Sequence, residues 1–289
     1  MSKRKKHLAV RALRGLWWLT KGGAKLAYKG AKLAAKGAVA GAKLGAGGAG
    51  WVYDQAKAQR EAAKKAAENR PATEAPAEYQ MLRVAEKVKG EERFFEEKLH
   101  KESLIIAIAG KRGSGKSALG FRLLENIHAR SGRHCYALGV PQKVLPNWIT
   151  SIEKVEQVKN GGAVLVDEGA IEFSARESMS GRNRELTQLM AIARHKDLTL
   201  LLITQNTALI DKNVLRLCDA VVFKEGSLLQ GRMERSALQE LYQTAGERFE
   251  KLPREERKKH AYVIDSEFEG LVQAGLPSFW SSAVSKSRA

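Results

Sequence analysis

The sequence predicts an α/β fold in which a mainly parallel sheet, covered by helices on both faces, carries a glycine-rich loop at one edge. Three observations predict this fold. After residue 104, short apolar segments alternate with helical ones, which is typical of a parallel sheet buried on both faces. The segment LIIAIAGKRGSGKS at 104–117 runs from an apolar stretch into glycines. The segment AVLVDEGA at 163–170 carries another apolar stretch to two acidic residues.

The glycine-rich loop at 110–117 has the spacing G-x-x-x-x-G-K-S of a phosphate-binding loop. Its glycines let the backbone curl so that successive N–H groups point at a nucleotide's phosphates. Lys116 adds a point charge, and the Ser117 hydroxyl can ligate Mg²⁺ where the next helix begins. The alternative is a glycine turn that fits by chance, and the flanking strand and amphipathic helix disfavour it. We therefore predict that ATP contacts Gly110, Lys111, Arg112, Gly113, Ser114, Gly115, Lys116 and Ser117.

The acidic pair in AVLVDEGA lies at the carboxyl end of a predicted buried strand. Ligands bind at that edge of open α/β sheets. We predict that Asp167 holds the Mg²⁺ water shell and that Glu168 is the general base for the attacking water. A general base at this position favours hydrolysis over transfer to another substrate. An acidic strand end without function is the alternative.

The remaining patterns predict the other elements in chain order. Apolar runs predict strands, and periodic amphipathic segments predict helices. The predicted strands are 104–109, 134–140, 163–167, 198–204 and 219–224, and the predicted helices are 116–130, 148–159, 182–195 and 234–250. A charged turn at 252–260 and a strand at 261–265 follow, before a C-terminal tail.

The segment ARHKDLTLLLITQN at 193–206 places an arginine near the end of a helix and Gln205 at the tip of the next strand. An amide at a strand tip can sense the γ-phosphate or orient the lytic water. Gln205 is therefore a candidate catalytic residue. The alternative is that its side chain caps a loop.

The order of GKRGSGKS, LVDE, and ARH followed by LLLITQ resembles the FtsK/HerA-type superfamily of DNA-pumping ATPases. Within that superfamily the sequence is most similar to the genome-packaging ATPases of viruses with an internal membrane. The resemblance covers residues 104–225. It implies a RecA-like sheet in which the TQ strand lies between the loop strand and the acidic strand. It also implies a homo-oligomeric ring, usually a hexamer, in which a neighbour's arginine completes each site.

Carried over by position, that arginine is Arg194, eleven residues before Gln205. A guanidinium from the next subunit would stabilise charge on the transferring phosphoryl group. A surface salt bridge is the alternative for any one arginine. The rivals for the same role are Arg182, Arg184, Arg176 and Arg216.

The net charge of +18 is concentrated at the N-terminus. The first 50 residues contain 12 Lys or Arg and no Asp or Glu, which leaves +6 for the rest of the chain. Such a tail predicts a polyanionic partner, either an anionic membrane or nucleic acid. On a helix its lysines form one stripe opposite small residues, and the pair Trp17 and Trp18 favours lipid. A disordered solubilising arm is the alternative.

Changes in composition along the chain predict three domains. Residues 1–50 form a basic tail that is helical or disordered, 51–101 a charged helical connector with a Pro linker, and 102–289 the P-loop ATPase domain. Within the connector, Glu78–His100 is predicted to be helical. Cys135 and Cys218 lie in apolar stretches, which indicates core residues in a reducing compartment. The longest apolar runs are too short for a conventional membrane span, and arginines interrupt the signal-like segment at 7–20.

Together these features predict an ATP- and Mg²⁺-dependent motor that translocates double-stranded DNA and packages a viral genome. Because we find no base-reading motif, DNA binding should be independent of sequence and weaken with salt. Arginines in the segment 172–184 are candidates for DNA contact. We expect the host cytoplasm and the virion, at the internal membrane or packaging vertex, without secretion. The alternatives are a membrane-associated assembly or secretion ATPase similar to zonula-occludens-toxin-like proteins, and a nucleotide-gated binding module.

Overall fold

The computed structural model describes residues 57–58, 74, 76–167, 169, 182–205, 212–226 and 236–287. They belong to a compact unit that extends from Ala67 to Ala289, apart from 57–58. The basic tail at 1–50 lies outside the described residues, as does most of the connector before 76. The predictions made for those segments, and the domain division that rests on them, stay predictions.

The described strands and helices alternate along much of the chain, and the last two strands form a hairpin before the final helix. The strands are β1 (Arg83–Gly90), β2 (Ile105–Ala109), β3 (Cys135–Leu138), β4 (Ile149–Ile152), β5 (Ala163–Asp167), β6 (Thr199–Thr204), β7 (Ala220–Phe223), β8 (His260–Asp265) and β9 (Phe268–Gln273). The helices are α1 (Glu92–Lys101), α2 (Lys116–Ser131), α3 (Arg182–His195), α4 (Lys212–Leu217), α5 (Ser236–Glu250), α6 (Arg254–Arg257) and α7 (Ser282–Lys286).

The strands form one mixed sheet in the order β1-β9-β8-β7-β2-β6-β5-β3-β4. The six strands from β7 to β4 are parallel, and β8, β9 and β1 add to β7 as antiparallel neighbours. The predicted parallel sheet is confirmed for the six strands. Strand β6, which carries the TQ segment, lies between β2 and β5, as the resemblance implied.

Alternate residues of the parallel strands face two hydrophobic clusters. On one face Ile106 and Ile108 of β2 pack with the side chains of α2, including Phe121 and Leu124. On the other face Ile105 and its neighbours pack with α3 and α5. All residues of β2 and β6 are buried, which explains why their sequences are continuous apolar runs. The predicted helical cover on both faces is thus confirmed.

The prediction of a helix over Glu78–His100 is wrong for its first half. Residues 83–90 form β1, which pairs with β9 in an antiparallel ladder, and only 92–101 are helical. Strand β1 is an edge strand, and Lys87 and Lys89 are exposed on it. Charged residues are common on edge strands because they discourage pairing with other chains. Their charges produced the helix-like pattern in the sequence.

The prediction of a helix at 148–159 is also wrong. Residues 149–152 form β4, which pairs in parallel with β3 and places Ile149 and Ile152 in the core. A short 3₁₀ turn at Val155–Gln157 follows it. The β-branched residues at 149, 150 and 152 favour a strand. Strand β9 and helix α7 lie within the segment that was predicted only as a tail.

Three buried polar side chains of helix α2 form hydrogen bonds with the main chain of the segment 78–80. Arg122 and Glu125 form an ion pair at 3.1 Å. Arg122 Nη1 donates to Glu78 O at 2.9 Å, and Glu125 Oε1 accepts from Glu78 N at 3.0 Å. Asn126 pairs with both main-chain polar groups of Gln80. Segment 78–80 is therefore bonded to the helix that begins at the glycine-rich loop.

The prediction that both cysteines are core residues is confirmed for Cys135 but not for Cys218. Cys135 is fully buried in β3, and Cys218 is half-buried before β7. Burial raises the pKa of Cys218 to about 12, with Asp219 adding to the effect, and burial also raises the pKa of Cys135. Both thiols are therefore protonated near neutral pH. Within the described residues, we find no helix that is both long and apolar enough to cross a bilayer.

Candidate nucleotide-binding site

The glycine-rich loop connects the carboxyl end of β2 to the first turn of α2. Gly110 has φ of +151°, and a Cβ built on it would lie 2.8 Å from Lys224 Cβ and 3.0 Å from Lys224 O. No other residue fits there without moving the main chain. Gly115 has φ of +92° and caps the start of α2. The loop thus has the backbone that a phosphate-binding loop requires.

Lys116 lies inside the loop and is 5% exposed. Its Nζ donates to Gly110 O at 2.8 Å and to Lys111 O at 2.9 Å. Main-chain carbonyl groups are weaker partners for an ammonium than phosphate oxygens, because a charge-assisted bond to an anion is stronger. The side chain is therefore positioned where phosphates bound in the loop would attract it.

The predicted acidic and amide residues lie at the same edge of the sheet as the loop. Asp167 ends β5, where it is opposite Ile203 of β6. The next residue of β6, Thr204, is opposite Ala109, the last residue of β2. Gln205 follows directly and is exposed. Neighbouring strands are about 4.8 Å apart, so this edge brings Asp167, Gln205 and the loop together. Glu168 lies outside the described residues.

Ser117 and Asp167 are the candidate Mg²⁺ ligands. Ser117 lies in the first turn of α2, which packs directly on β5 and β6 because Gly120 has no side chain. A Cβ on Gly120 would lie 2.7 Å from Leu165 Cδ1. A hydroxyl and a carboxylate fit an ion that takes its other ligands from phosphates and water. Within the described ranges we find no cluster of three or more His, Cys, Asp or Glu side chains suited to a metal ion.

Arg194 does not lie near the loop of its own chain. Its Nη2 donates to Asp219 Oδ1 and to Leu217 O, each at 3.0 Å, and its side chain is 51% exposed. Asp219 immediately precedes β7, so this pair lies at the amino ends of the parallel strands. The loop lies at their carboxyl ends, about 16 Å away along a five-residue strand. Arg194 therefore lies at the opposite edge of the sheet.

Two of the other four candidate arginines have side chains that the structure describes. Arg184 is exposed on α3, and Arg216 is exposed on α4. Arg176 and the side chain of Arg182 lie outside the described residues.

Three charged residues next to the loop were not predicted from the sequence. Lys224 follows β7 and is 2% exposed. Glu225 forms ion pairs with Lys111, at 2.7 Å, and with Arg257, at 3.0 Å. The signal was present in DAVVFKEG, where a charged pair directly follows an apolar run. Lys224 was instead predicted as the last residue of the strand.

The charges next to the loop have perturbed pKa values. Burial lowers the pKa of Lys224 to about 7, Glu225 opposes this effect, and the nearby charge of Lys116 adds to it. Burial acts to raise the pKa of Glu225, but hydrogen bonds and charges from Lys111 and Arg257 outweigh it, so that pKa lies below its usual value. Glu225 is thus ionised near neutral pH, whereas burial favours the neutral form of Lys224.

No family model matches the sequence, and no curated protein matches it significantly. Solved structures do match. The genome packaging NTPase B204 of Sulfolobus turreted icosahedral virus 2, in complex with AMPPCP, aligns over 60% of this chain and 98% of its own, with 13% identity and a TM-score of 0.42. The parallel sheet of this chain, in which strand β2 leads into the G-x-x-x-x-G-K-S loop and helix α2, is itself that of a P-loop fold.

Two further structures are similar to the same extent. The pCW3 conjugation coupling protein TcpA aligns over 72% of this chain and 70% of its own, with 14% identity and a TM-score of 0.42. EssC from Geobacillus thermodenitrificans aligns over 72% of this chain and 47% of its own, with 12% identity and a TM-score of 0.40. At these values the activity must be argued from the residues of this chain.

Proposed function

We propose that this protein is an ATP-hydrolysing motor that translocates double-stranded DNA and packages a viral genome into a membrane-containing particle. The proposal rests on the positions of the phosphate-binding loop and Arg194, which lie at opposite ends of the parallel strands. The loop lies at the carboxyl ends of the strands, and the half-exposed Arg194 lies at the amino ends. A subunit built in this way can present its arginine to the loop of a neighbour, and identical head-to-tail contacts close into a ring.

In the proposed reaction, main-chain N–H groups of the loop and Lys116 hold the phosphates. Ser117 and Asp167 would hold Mg²⁺, which neutralises charge on the phosphate oxygens. Glu168 accepts the proton of the attacking water, and Gln205 orients that water. Arg194 of the partner subunit stabilises the charge that develops on the transferred phosphoryl group. Hydrolysis in one subunit thereby depends on the position of the next.

The DNA part of the proposal is supported by charge rather than by a base-reading motif. Arg184 is exposed on α3, close in sequence to Arg176 and Arg182. In a ring, these arginines would follow phosphates along a central channel. We propose a hexamer, as in the superfamily that the sequence resembles, and contact with any double-stranded DNA irrespective of sequence.

The test is ATP hydrolysis by the full chain with and without linear double-stranded DNA of two unrelated sequences. We expect equal stimulation by both, and a stimulation that falls as salt is raised. Lys116→Ala is the control, and it should show no hydrolysis under either condition. Equal rates with and without DNA in the assembled ring would contradict DNA translocation and would favour an assembly ATPase that acts on protein.

We further propose that residues 1–50 attach the motor to an acidic membrane, which would place it in the host cytoplasm and at the internal membrane of the virion. The support is the concentration of 12 basic residues in this segment together with its paired tryptophans. Flotation with anionic vesicles should carry the full chain, and a chain lacking 1–50 should remain behind. If both stay in the soluble fraction, DNA is the better partner for the tail.

A further inference from the structure

The main chain that follows β7 extends the sheet alongside the phosphate-binding loop. Lys224 N donates to Ala109 O at 2.7 Å, and Lys111 N donates to Glu225 O at 3.0 Å. These two bonds continue the pairing of β2 and β7 beyond the ends of both strands. Residues 224–225 therefore form one wall of the loop.

The side chain of Lys224 runs beneath the loop from its first glycine to its last. Its Cβ lies 2.8 Å from the position that a Cβ would take on Gly110. Its Cε and Nζ lie 3.6 and 3.7 Å from the corresponding position on Gly115. The ammonium is thus next to the backbone that caps α2, where the phosphates of a nucleotide would bind.

The ammonium of Lys224 is bonded to main-chain carbonyl groups. Its Nζ donates to Lys258 O at 2.7 Å, in the connection between α6 and β8, and to the O atom of His260, the first residue of β8. The adjacent carboxylate, Glu225, is bonded instead to Lys111 and Arg257. A buried ammonium whose described bonds go to neutral carbonyl groups has a large unmet attraction for an anion.

We propose that Lys224 is a positioning residue of the nucleotide site, which holds the loop against the C-terminal hairpin and takes up a proton when a triphosphate binds. This inference rests on the proposed nucleotide site and adds a second lysine to it. Lys116 reaches the phosphates from within the loop, whereas Lys224 acts through the loop backbone from below.

The groups around Lys224 determine whether nucleotide binding raises or lowers its pKa. The charges of Lys116, in the loop, and of Glu225, the next residue in the chain, act on it. Lys111 and Arg257 are bonded to Glu225. Lys258, before β8, and His260, its first residue, face it with their carbonyl groups, and the His260 ring Nδ1 is bonded to Glu256 O. Burial already brings the pKa of Lys224 to about 7. Phosphate charge favours the ammonium and raises this pKa, so binding draws in a proton near neutral pH.

The experiment is calorimetric titration of the full chain with ATP and excess Mg²⁺, near pH 7, in buffers that differ in ionisation enthalpy. The dependence of the binding enthalpy on the buffer gives the number of protons taken up. The uptake by one lysine is at most the fraction of that lysine that is neutral before binding. We expect an uptake clearly above zero for the unaltered protein. A value of zero with normal ATP binding would overturn the inference.

Three variants separate this role from a merely structural one. Lys224→Met removes the titrating group. Lys224→Arg keeps a hydrogen-bond donor, but one that stays charged at all accessible pH values. Both variants should abolish the proton uptake on ATP binding. Lys258→Met is the matched control, because it removes an exposed lysine while its carbonyl group still accepts from Lys224. It should retain the uptake. Unchanged uptake in Lys224→Arg would overturn the inference even if Lys224→Met fails to fold.

The affinity itself gives a second readout. Because binding raises the pKa of Lys224, the dissociation constant for ATP should increase as pH rises from about 7 to about 8.5, up to tenfold for each unit of that rise. The Lys224→Arg variant should lack this dependence. If the unaltered protein fails to bind ATP at any pH, the proposed function fails instead, so the two failures are distinguishable.

Discussion

Arg194 and Asp219 form an ion pair that is also bonded to the strand leading into the phosphate-binding loop. Asp219 Oδ1 accepts from Arg194 Nη2 at 3.0 Å, and its Oδ2 accepts from Ile105 N at 2.7 Å. Ile105 is the first residue of β2, and Gly110 follows the last. The residue proposed to act on a neighbour's nucleotide is thus connected through one carboxylate to the strand that supports its own loop.

The proposed ring predicts that two inactive variants restore activity when they are mixed. Lys116→Ala lacks a working loop but keeps Arg194, and Arg194→Ala has the opposite defect. Where a Lys116→Ala subunit presents its arginine to the loop of an Arg194→Ala subunit, the site is complete. We expect each variant alone to lose at least about a hundredfold in ATP hydrolysis, and the mixture to recover a measurable fraction of the original rate.

Arg83→Ala, which removes an exposed arginine from the edge strand β1, is the control for nonspecific charge loss and should stay active. If the mixture is as inactive as its two components while both variants still assemble, Arg194 does not act between subunits. Full activity of Arg194→Ala alone would lead to the same conclusion and would direct attention to Arg182 or Arg184.

We predict that breaking the Arg194–Asp219 pair weakens the cooperation between subunits in ATP hydrolysis but changes the stability of the fold little. The arginine is half exposed, and exposed ion pairs contribute at most about 1 kcal/mol. Asp219→Asn should retain an acceptor for Ile105 N but remove the charge that holds Arg194. We expect the thermal midpoint to change little, and the cooperativity of ATP hydrolysis with respect to ATP to fall. A large drop in the midpoint would mean that Asp219 is chiefly structural.

The sequence predicted the central strands well because their environment is simple. Residues of β2, β5 and β6 are buried on both faces, so each appears as an uninterrupted apolar run. Both elements that were predicted as helices but are strands, β1 and β4, lie at the two edges of the sheet. An edge strand has one neighbour and exposes more polar side chains. Its identity as a strand therefore depends on a partner that is distant in sequence, here β9 for β1.

The parts of the site that the sequence missed depend on the same kind of long-range contact. The motif spacing predicted that the loop, Asp167 and Gln205 lie at one edge of the sheet, since each stands at the end of its own strand. The environment of Lys224 is created by carbonyl groups 34 and 36 residues later. A lysine after an apolar run does not reveal from its neighbours in sequence that a hairpin returns to bury it.

The loop backbone predicts a strict requirement for glycine at 110. Gly110→Ala places a Cβ 2.8 Å from Lys224 Cβ and 3.0 Å from its carbonyl oxygen, so the wall of the loop must move. We expect ATP affinity to fall by at least about tenfold, which corresponds to about 1.4 kcal/mol. Fluorescence titration with a labelled nucleotide measures it.

Gly132→Ala is the matched control for this change. Gly132 also has a positive φ, at +67°, but nothing lies within 4 Å of a Cβ there, and it ends α2 away from the loop. Its substitution should cost about 1 kcal/mol of stability and leave ATP affinity unchanged. Equal affinity loss in both variants would show that backbone strain alone, rather than contact with Lys224, explains the effect.

The buried pair of Arg122 and Glu125 predicts a large loss of stability when one partner is removed. Glu125 is 0% exposed and accepts from Glu78 N and Ser278 N, each at 3.0 Å. Glu125→Ala leaves Arg122 buried without its carboxylate, which typically costs about 3–5 kcal/mol. Chemical unfolding measures the change. Lys101→Ala, at an exposed pair, should change the free energy of unfolding by less than about 0.5 kcal/mol.

The buried Lys224 predicts a characteristic dependence of stability on pH in the absence of nucleotide. Its pKa falls from 10.5 to about 7 on folding, so between these values the unfolded chain binds one more proton than the folded chain. Stability therefore rises with pH across this window and is lost as pH falls back toward 7. Relative to Lys224→Met, which has no such group, the unaltered protein should gain in free energy of unfolding from about pH 7 to about pH 10. Parallel urea titrations of both proteins across that range provide the measurement. A constant difference between them would show that Lys224 is charged in the folded protein throughout, and the proton uptake inferred for nucleotide binding would then have no source.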